Sequence, residues 1–262
     1  MVAAIRKAKN GISPAACQAF IATARAADAI EDIHDLCGEL CEVAGFDYYV
    51  YGAKFPVSFV HPETFVVSGL PQRWWDRYCE RNYLAVDPVL HQATTRCTTP
   101  ILWDEIRPEH GPEPVRVRPF MEEARSFGLV SGVSFPLQGR SGETAILSLA
   151  SRGTHTQIQG RIVRTLPAGQ LLAGFIHEAG RRIAVAEGPG AGRAELTPRE
   201  RECLLWAAEG HTTHDTARRL ELSERTVVFH LHNAARKLGV RNRAQAVARA
   251  IAEAHILPQH RS

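Results

Sequence analysis

Several things are missing from these 262 residues, and each absence narrows what the chain can be. The six cysteines (Cys17, Cys37, Cys41, Cys79, Cys97 and Cys203) contain no C-x-x-C pair and have no histidines at zinc-finger spacing, so the thiols read as reduced and no metal or other cofactor is expected. Cys37 and Cys41 stand one helical turn apart beside the apolar stripe Ile33, Leu36, Leu40 and Ala44, where packing is the expected role. There is no G-x-S-x-G elbow, no metal-ligand cluster and no nucleophile–base pair, which leaves catalysis without a recognisable centre. Long apolar runs are absent too: Ala145 to Ala150, interrupted by Ser148, is far short of the roughly 20 residues of a membrane span. The N-terminus lacks a signal-peptide core, so a cytoplasmic protein without a membrane partner is expected. No internal repeat or low-complexity tract appears.

An excess of one charge sign is also absent from most of the chain. From Glu195 onward there are eleven Arg or Lys against eight Asp or Glu, which accounts for the whole formal charge of +3 and leaves the first 194 residues neutral. With 45% hydrophobic and 23% charged residues, the chain can bury one good-sized core and one small one. Two domains are expected, over 1–186 and 195–262, joined by a linker over 187–194 where EGPGAGRAE is rich in glycine and proline.

The second of these is the more legible. Thr197-Pro198-Arg199-Glu200 places a hydroxyl at a helix N-cap, proline at the first helical position and glutamate at the third, a capping box that satisfies otherwise orphaned amides. That helix should run from Pro198 to about Glu209 and stop at Gly210. A second should start near Thr212 or Thr213 and carry Ala217 and Leu220 inward, and a third should be capped by Ser223 and end at Gly239. Three short helices in this order suit a helix-turn-helix, and DNA is the first partner to consider.

In the third helix Val227, Leu231, Ala234 and Leu238 recur at steps of four, three and four, forming a core-facing stripe. The opposite face carries Arg225, Phe229, His232 and Arg236, flanked by Asn233, with Thr226 and Val228 near its start. Such a face can enter a major groove and meet base edges, while Lys237 and Arg241 are expected to neutralise phosphates. The plainer alternative is a solvated basic face, against which the capped geometry weighs.

The residues LTPRERE, a glycine after the first helix, S-x-x-TV-x-x-H-x-x-N, KLGV and RAQAVA together resemble the C-terminal DNA-binding module of LuxR-type transcription factors. Two positions depart from that pattern. Thr216 stands where the family usually has isoleucine or another apolar residue, which is expected to loosen the small core, and Val228 stands where a groove-facing lysine is common.

The first domain reads as α+β. Ser13-Pro14 opens a helical region, and a helix from about Ala29 to Ala44 stops at Gly45. Strand-like runs follow at Phe46–Gly52, Val57–His61, Thr64–Ser68, Val130–Gln138 and Glu143–Ser151, with GRSG as the hairpin turn between the last two. Helical patterns at Gln72–Asn82, Pro88–Thr95 and about Val115–Phe127 interrupt them, and a long helix from about Pro167 to Ala186 closes the domain. The expected fold is an α-β-α sandwich with an antiparallel sheet, followed by a small all-α helix-turn-helix domain.

GLPQRWWDRYCERNYLAVDP, TTPILW and EEARSFGLVSGVSFPLQGRSGETAILSLA resemble the autoinducer-binding domain of the same LuxR-type quorum-sensing regulators, which hold N-acyl-homoserine lactones between a sheet and a helical layer. The repeated βα units and acidic cluster of a response-regulator receiver are missing. The resemblance implies that Trp74 offers its indole N–H to a lactone carbonyl and Asp87 accepts from the ligand amide. Tyr78 and Trp103 would wall the lactone end, with Ser148 near the amide carbonyl. Val50, Gly52, Val66, Val89, Phe120, Leu129, Ser134 and Ile146 would line the acyl-chain side. The chemistry is sensible without the family, since a ligand amide in an apolar cavity needs a buried acceptor.

Each anchor has a plainer reading: Asp87 before Pro88 can cap a helix, Trp74 can be core, and Ser148 can bond only to backbone. One departure touches the ligand: Leu70-Pro71 stands where the family commonly has a tyrosine whose hydroxyl helps hold the amide carbonyl. The expectation is a ligand-responsive, homodimeric transcription factor that binds a small signal and a palindromic double-stranded operator. The alternatives are a constitutive DNA-binding regulator whose first domain only dimerises, and an enzyme that modifies the signal.

Overall fold

The computed structural model describes residues 12–55, 63–95, 98–107, 109, 113–139, 143–187 and 195–256. The strand expected at Val57–His61, residues 140–142 of the GRSG turn and all of the linker but Glu187 lie outside the described residues. The chain divides into two compact units, one ending at Glu187 and the other beginning beyond it.

The first unit opens with helices α1 (Pro14–Ala26), capped by the Ser13 hydroxyl, and α2 (Ile30–Ala44), closed by Gly45 in the left-handed region at φ 77°. Strands β1 (Tyr48–Phe55) and β2 (Glu63–Ser68) follow, then α3 (Gln72–Glu80), α4 (Pro88–Thr95), the two-residue β3 (Ile101–Leu102), α5 (Pro114–Ser126), β4 (Ser131–Gln138), β5 (Thr144–Ser151) and α6 (His155–Glu187). The strands form one antiparallel sheet in the order β2-β1-β5-β4-β3. Ile101–Leu102 was not anticipated as a strand, because two residues are too short for an alternation to show.

Period-two alternation divides the sheet's residues between its faces. Tyr49, Tyr51, Val67, Val133, Phe135, Leu147 and Leu149 lie on the face against which α2 and α6 pack, with α1 lying on both helices. Helix α4 packs on β4 and β5 from the other side, so the sheet is sandwiched between helices as expected.

The final helix corrects its expected start. It begins at His155 rather than at Pro167, and the proline lies inside it. Proline favours the first helical position, which is why it read as a start. Here Pro167 sits on the exposed side, where water can take the carbonyl it frees. Ile158, Ile162, Thr165, Gly169, Leu172, Ile176, Ala179 and Ile183 meanwhile hold a steady four–three spacing of buried positions across it. Gly169 lies over the fully buried Phe135, and a Cβ there would stand 2.3 Å from the ring's Cζ. Alanine normally stabilises a helix interior by about 1 kcal/mol over glycine. Overpacking a ring that cannot retreat costs about 1–3 kcal/mol. Gly169→Ala should therefore destabilise the first unit by about 1 kcal/mol in denaturant melts; an unchanged or raised midpoint would show that the ring gives way.

Among the described residues the second unit has four helices: α7 (Pro198–Ala208), α8 (Thr213–Leu220), α9 (Glu224–Lys237) and α10 (Arg243–Ala252). The hydroxyls of Thr197, Thr212 and Ser223 cap the first three, and Thr197–Glu200 forms the anticipated capping box. Leu204, Ala217, Val227, Leu231, Ala234, Leu238, Ala246 and Ala250 make the core. Thr216 is fully buried, but its hydroxyl donates to the Thr212 carbonyl at 2.8 Å, so the departure at this position leaves no unpaired polar group.

Candidate functional site

One side of β1, β2 and β5, together with α3, α4, α5 and the turn at Trp103–Glu105, lines a partly open cavity of about 170 Å³. Val50, Gly52, Val66, Ile146 and Ser148 line it from the sheet, and Trp74, Tyr78, Asp87, Val89, Trp103, Phe120 and Leu129 from the other elements, so twelve of the thirteen expected residues share one space. Leu70 lines it as well. Ser134 does not; it is fully buried one step behind the wall.

Asp87 divides its two oxygens between two tasks. Oδ1 accepts from the Val89 and Leu90 amides at 2.8 and 3.1 Å, capping α4, while Oδ2 accepts from the Tyr78 hydroxyl at 3.0 Å at the cavity wall. The plain reading of Asp87 as a cap is correct, and it leaves the other oxygen at the cavity. Burial raises the Asp87 pKa above the ordinary aspartate value despite these bonds, and burial together with the Asp87 charge raises that of Tyr78. Trp74 is buried among the rings of Tyr78, Tyr83, Phe120 and Phe127, and its indole N–H meets no acceptor among the described residues.

Trp103 Nε1 donates to Ser134 Oγ at 2.9 Å, and Ser134 Oγ lies 2.7 Å from Ser148 Oγ. An indole nitrogen is a donor only, and Ser134 has no acceptor for its own hydrogen among the described residues except Ser148. Ser134 therefore donates to Ser148. The Ser148 hydrogen then has no protein acceptor among the described residues and is available to the cavity it lines. This chain of donors crosses the register pair Ser134↔Ser148 of β4 and β5.

Lining residues not anticipated include Ala150, Ala124, Leu84, Ile106, Asp104 and Arg125. Ala150 carries a signal that could have found it, the period-two continuation of Ile146 and Ser148, and Ala124 lies one helical turn beyond Phe120. Leu84, Ile106 and Asp104 sit in turns, where no period applies.

On the second unit, Arg225, Val228, Phe229, His232 and Arg236 are exposed along one face of α9, while Thr226 and Asn233 are half-buried beside it. Arg236 Nη2 donates to Asn233 Oδ1 at 3.3 Å, and the Arg241 side chain is exposed. Lys237 differs from the expectation that it neutralises a phosphate. Its ammonium donates to the Glu195 carbonyl and to Glu200 Oε2, both at 2.9 Å, with the lysine side chain 20% and the glutamate 4% exposed. It stands eight residues after Phe229, and at 3.6 residues per turn this rotates it off the exposed stripe and toward the α7 cap.

Burial alone would raise the Glu200 pKa, but Lys237 and the Thr197 amide outweigh it and hold the carboxyl below its ordinary value. An unfolded chain thus takes up this proton at higher pH than the folded one. The stabilisation is complete above about pH 4.5 and is lost as pH falls through the lower folded value. The stability gap between the parent and Glu200→Gln should accordingly close as pH is lowered past 4.5; a gap unchanged by acid would show that the pair adds nothing.

Among the described residues no group of three or more His, Cys, Asp or Glu could hold a metal ion, and no helix is long and apolar enough to cross a membrane.

The fold sets a cavity-bearing α+β unit before a helix-turn-helix unit in the chain, and comparison with known proteins gives the family. The family description "Autoinducer binding domain" matches residues 29–180, and "Bacterial regulatory proteins, luxR family" matches residues 194–250. The chain belongs to the luxR family of bacterial regulatory proteins and carries an autoinducer-binding domain ahead of its helix-turn-helix module. It is 37% identical over 208 residues to the HTH-type quorum sensing-dependent transcriptional regulator RpaR of Rhodopseudomonas palustris, covering 79% of this chain and 81% of that one. To the transcriptional activator VanR of Vibrio anguillarum it is 32% identical over 229 residues, covering 87% and 92%. In fold it resembles SdiA in complex with octanoyl-rac-glycerol, at a TM-score of 0.69 and 24% identity over 90% of this chain and 93% of that one.

Proposed function

We propose that the cavity of the first unit binds an N-acyl-homoserine lactone, and that the protein acts in the cytoplasm as a homodimer that couples this binding to operator recognition by α9. Signal is bound and released without being converted. The single observation that carries the ligand reading is the convergence of three complementary groups on one apolar cavity. The Asp87 carboxylate accepts, and the Trp74 indole N–H and the Ser148 hydroxyl donate. An acyl-homoserine lactone presents an amide N–H, a lactone carbonyl and an amide carbonyl, which these groups match one for one. Ser148, its proton directed inward by Ser134, supplies the donor that leucine at position 70 cannot.

On this reading Arg225, His232 and Arg236 face base edges, and Arg241 faces phosphate; Lys237 serves the fold. The test is mass spectrometry of small molecules that co-purify with the full chain, followed by a thermal-shift series of lactones on ligand-free protein. Ligand at a hundredfold its dissociation constant should stabilise the fold by about 2.7 kcal/mol. A series in which no lactone shifts the transition removes this ligand class. A second arm compares operator binding with and without signal, and equal binding in both would favour the constitutive regulator.

A further inference from the structure

The exposed face of α9 holds an apolar pair that the polar chemistry of base recognition leaves unexplained. Val228 and Phe229 are 56% and 59% exposed on a helix whose other large apolar residues, Val227 and Leu231, are buried in the core. The pair sits in the N-terminal half of the helix, beyond the Ser223 cap, between Arg225 on one side and His232 and Arg236 on the other. Phe229 is steadied edge-on by the neighbouring His230 ring, with centroids 5.8 Å apart. Neither side chain offers a donor or acceptor, so neither can read a base through its hydrogen-bonding edge.

Leaving two large apolar groups in water has no stability rationale, and the surrounding cations specify what can cover them. A polyanion seated on Arg225, Arg236 and Arg241 brings its own surface down on the pair. In the major groove, the apolar group that surface presents is the C5-methyl of thymine. Resting on the reading that α9 enters the major groove, we infer that Val228 and Phe229 are specificity determinants that recognise thymine methyl groups in the operator half-site.

The methyl itself is the test. A binding sequence is first selected from a randomised duplex pool with the full chain in its signal-bound state. Each thymine of that sequence is then replaced by deoxyuridine, which removes one methyl and changes no hydrogen-bonding group. Burial of one methyl-sized group is worth about 0.8 kcal/mol, so affinity should fall about fourfold at one or two thymines per half-site and at no others. Val228→Ala and Phe229→Ala should each bind the thymine and deoxyuridine duplexes alike at the position they read. Both residues are exposed, so truncation spares the core, and retained affinity for random-sequence DNA verifies that the variants fold.

Indifference of the parent protein to deoxyuridine at every position would overturn the inference while leaving operator recognition intact. A deoxyuridine penalty that persists in the Val228→Ala, Phe229→Ala double variant would overturn it equally. Failure of the pool to yield any preferred sequence would instead reject base reading by α9 as a whole.

Discussion

Asp87→Asn should lower signal affinity by about 5- to 150-fold with little loss of fold stability. The magnitude follows from replacing a charge-assisted acceptor in a buried site, worth about 1–3 kcal/mol when its partner is left unpaired. The selectivity follows from the two oxygens doing different work. Oδ1 accepts from the Val89 and Leu90 amides, and an asparagine oxygen preserves that cap. The second position becomes an NH2 group that would face the Tyr78 hydroxyl, which donates to Oδ2 in the parent, and a ligand amide that also donates. Asp87→Ala removes both functions and should lose about 1 kcal/mol of stability from the missing cap in addition. Titration calorimetry beside thermal melts separates the two. If Asp87→Asn binds signal as the parent does, the carboxylate is a helix cap alone and the amide is held elsewhere.

Lys237→Ala is expected to unfold the DNA-binding unit more readily, by about 3 kcal/mol, the low end for removing one member of a buried ion pair because the lysine keeps a fifth of its side chain exposed. In a unit of this size that is a fall of about 12–24 °C in its melting midpoint. Arg236→Ala should do the opposite. Its guanidinium is exposed and bonds only to Asn233 among the described residues, so stability should hold. Discrimination between operator and random DNA should drop by about 1–3 kcal/mol. The two residues are neighbours in sequence and both basic, yet Arg236 is exposed on the α9 face proposed to meet DNA and Lys237 turns onto Glu200. Melts of both variants, with DNA titrations at two salt concentrations, will tell them apart. A Lys237→Ala protein of parental stability whose salt dependence is flattened would return Lys237 to the phosphates.

How much of this was legible beforehand depended on how local the signal was. The hydroxyls of Ser13, Thr197 and Ser223 cap helices where expected, because a cap is satisfied within three residues of chain. The buried stripe of α9 was legible because a helix repeats its own period whatever it packs on. Pro167 misled because its local preference for a helix start yielded to a long apolar face that continues through it over 33 residues. The pairing of Lys237 with Glu200 was hidden because a charge pattern along one helix does not show what α7, two helices earlier, places beside it.

By itself, then, the sequence determined the two units, the type of most elements, most of the groups that line the cavity and the exposed stripe of α9. Those follow from composition, short-range capping and periodicity, each set within a few residues. Tertiary structure alone decided which groups meet. It placed Asp87 with one oxygen on a helix cap and one at the cavity, and it turned Lys237 onto Glu200. It also set Ser134 behind Ser148 through a strand register fourteen residues apart. Such pairings depend on the closure of long loops and on sheet register, which are fixed by the packing of the whole unit rather than by neighbours along the chain.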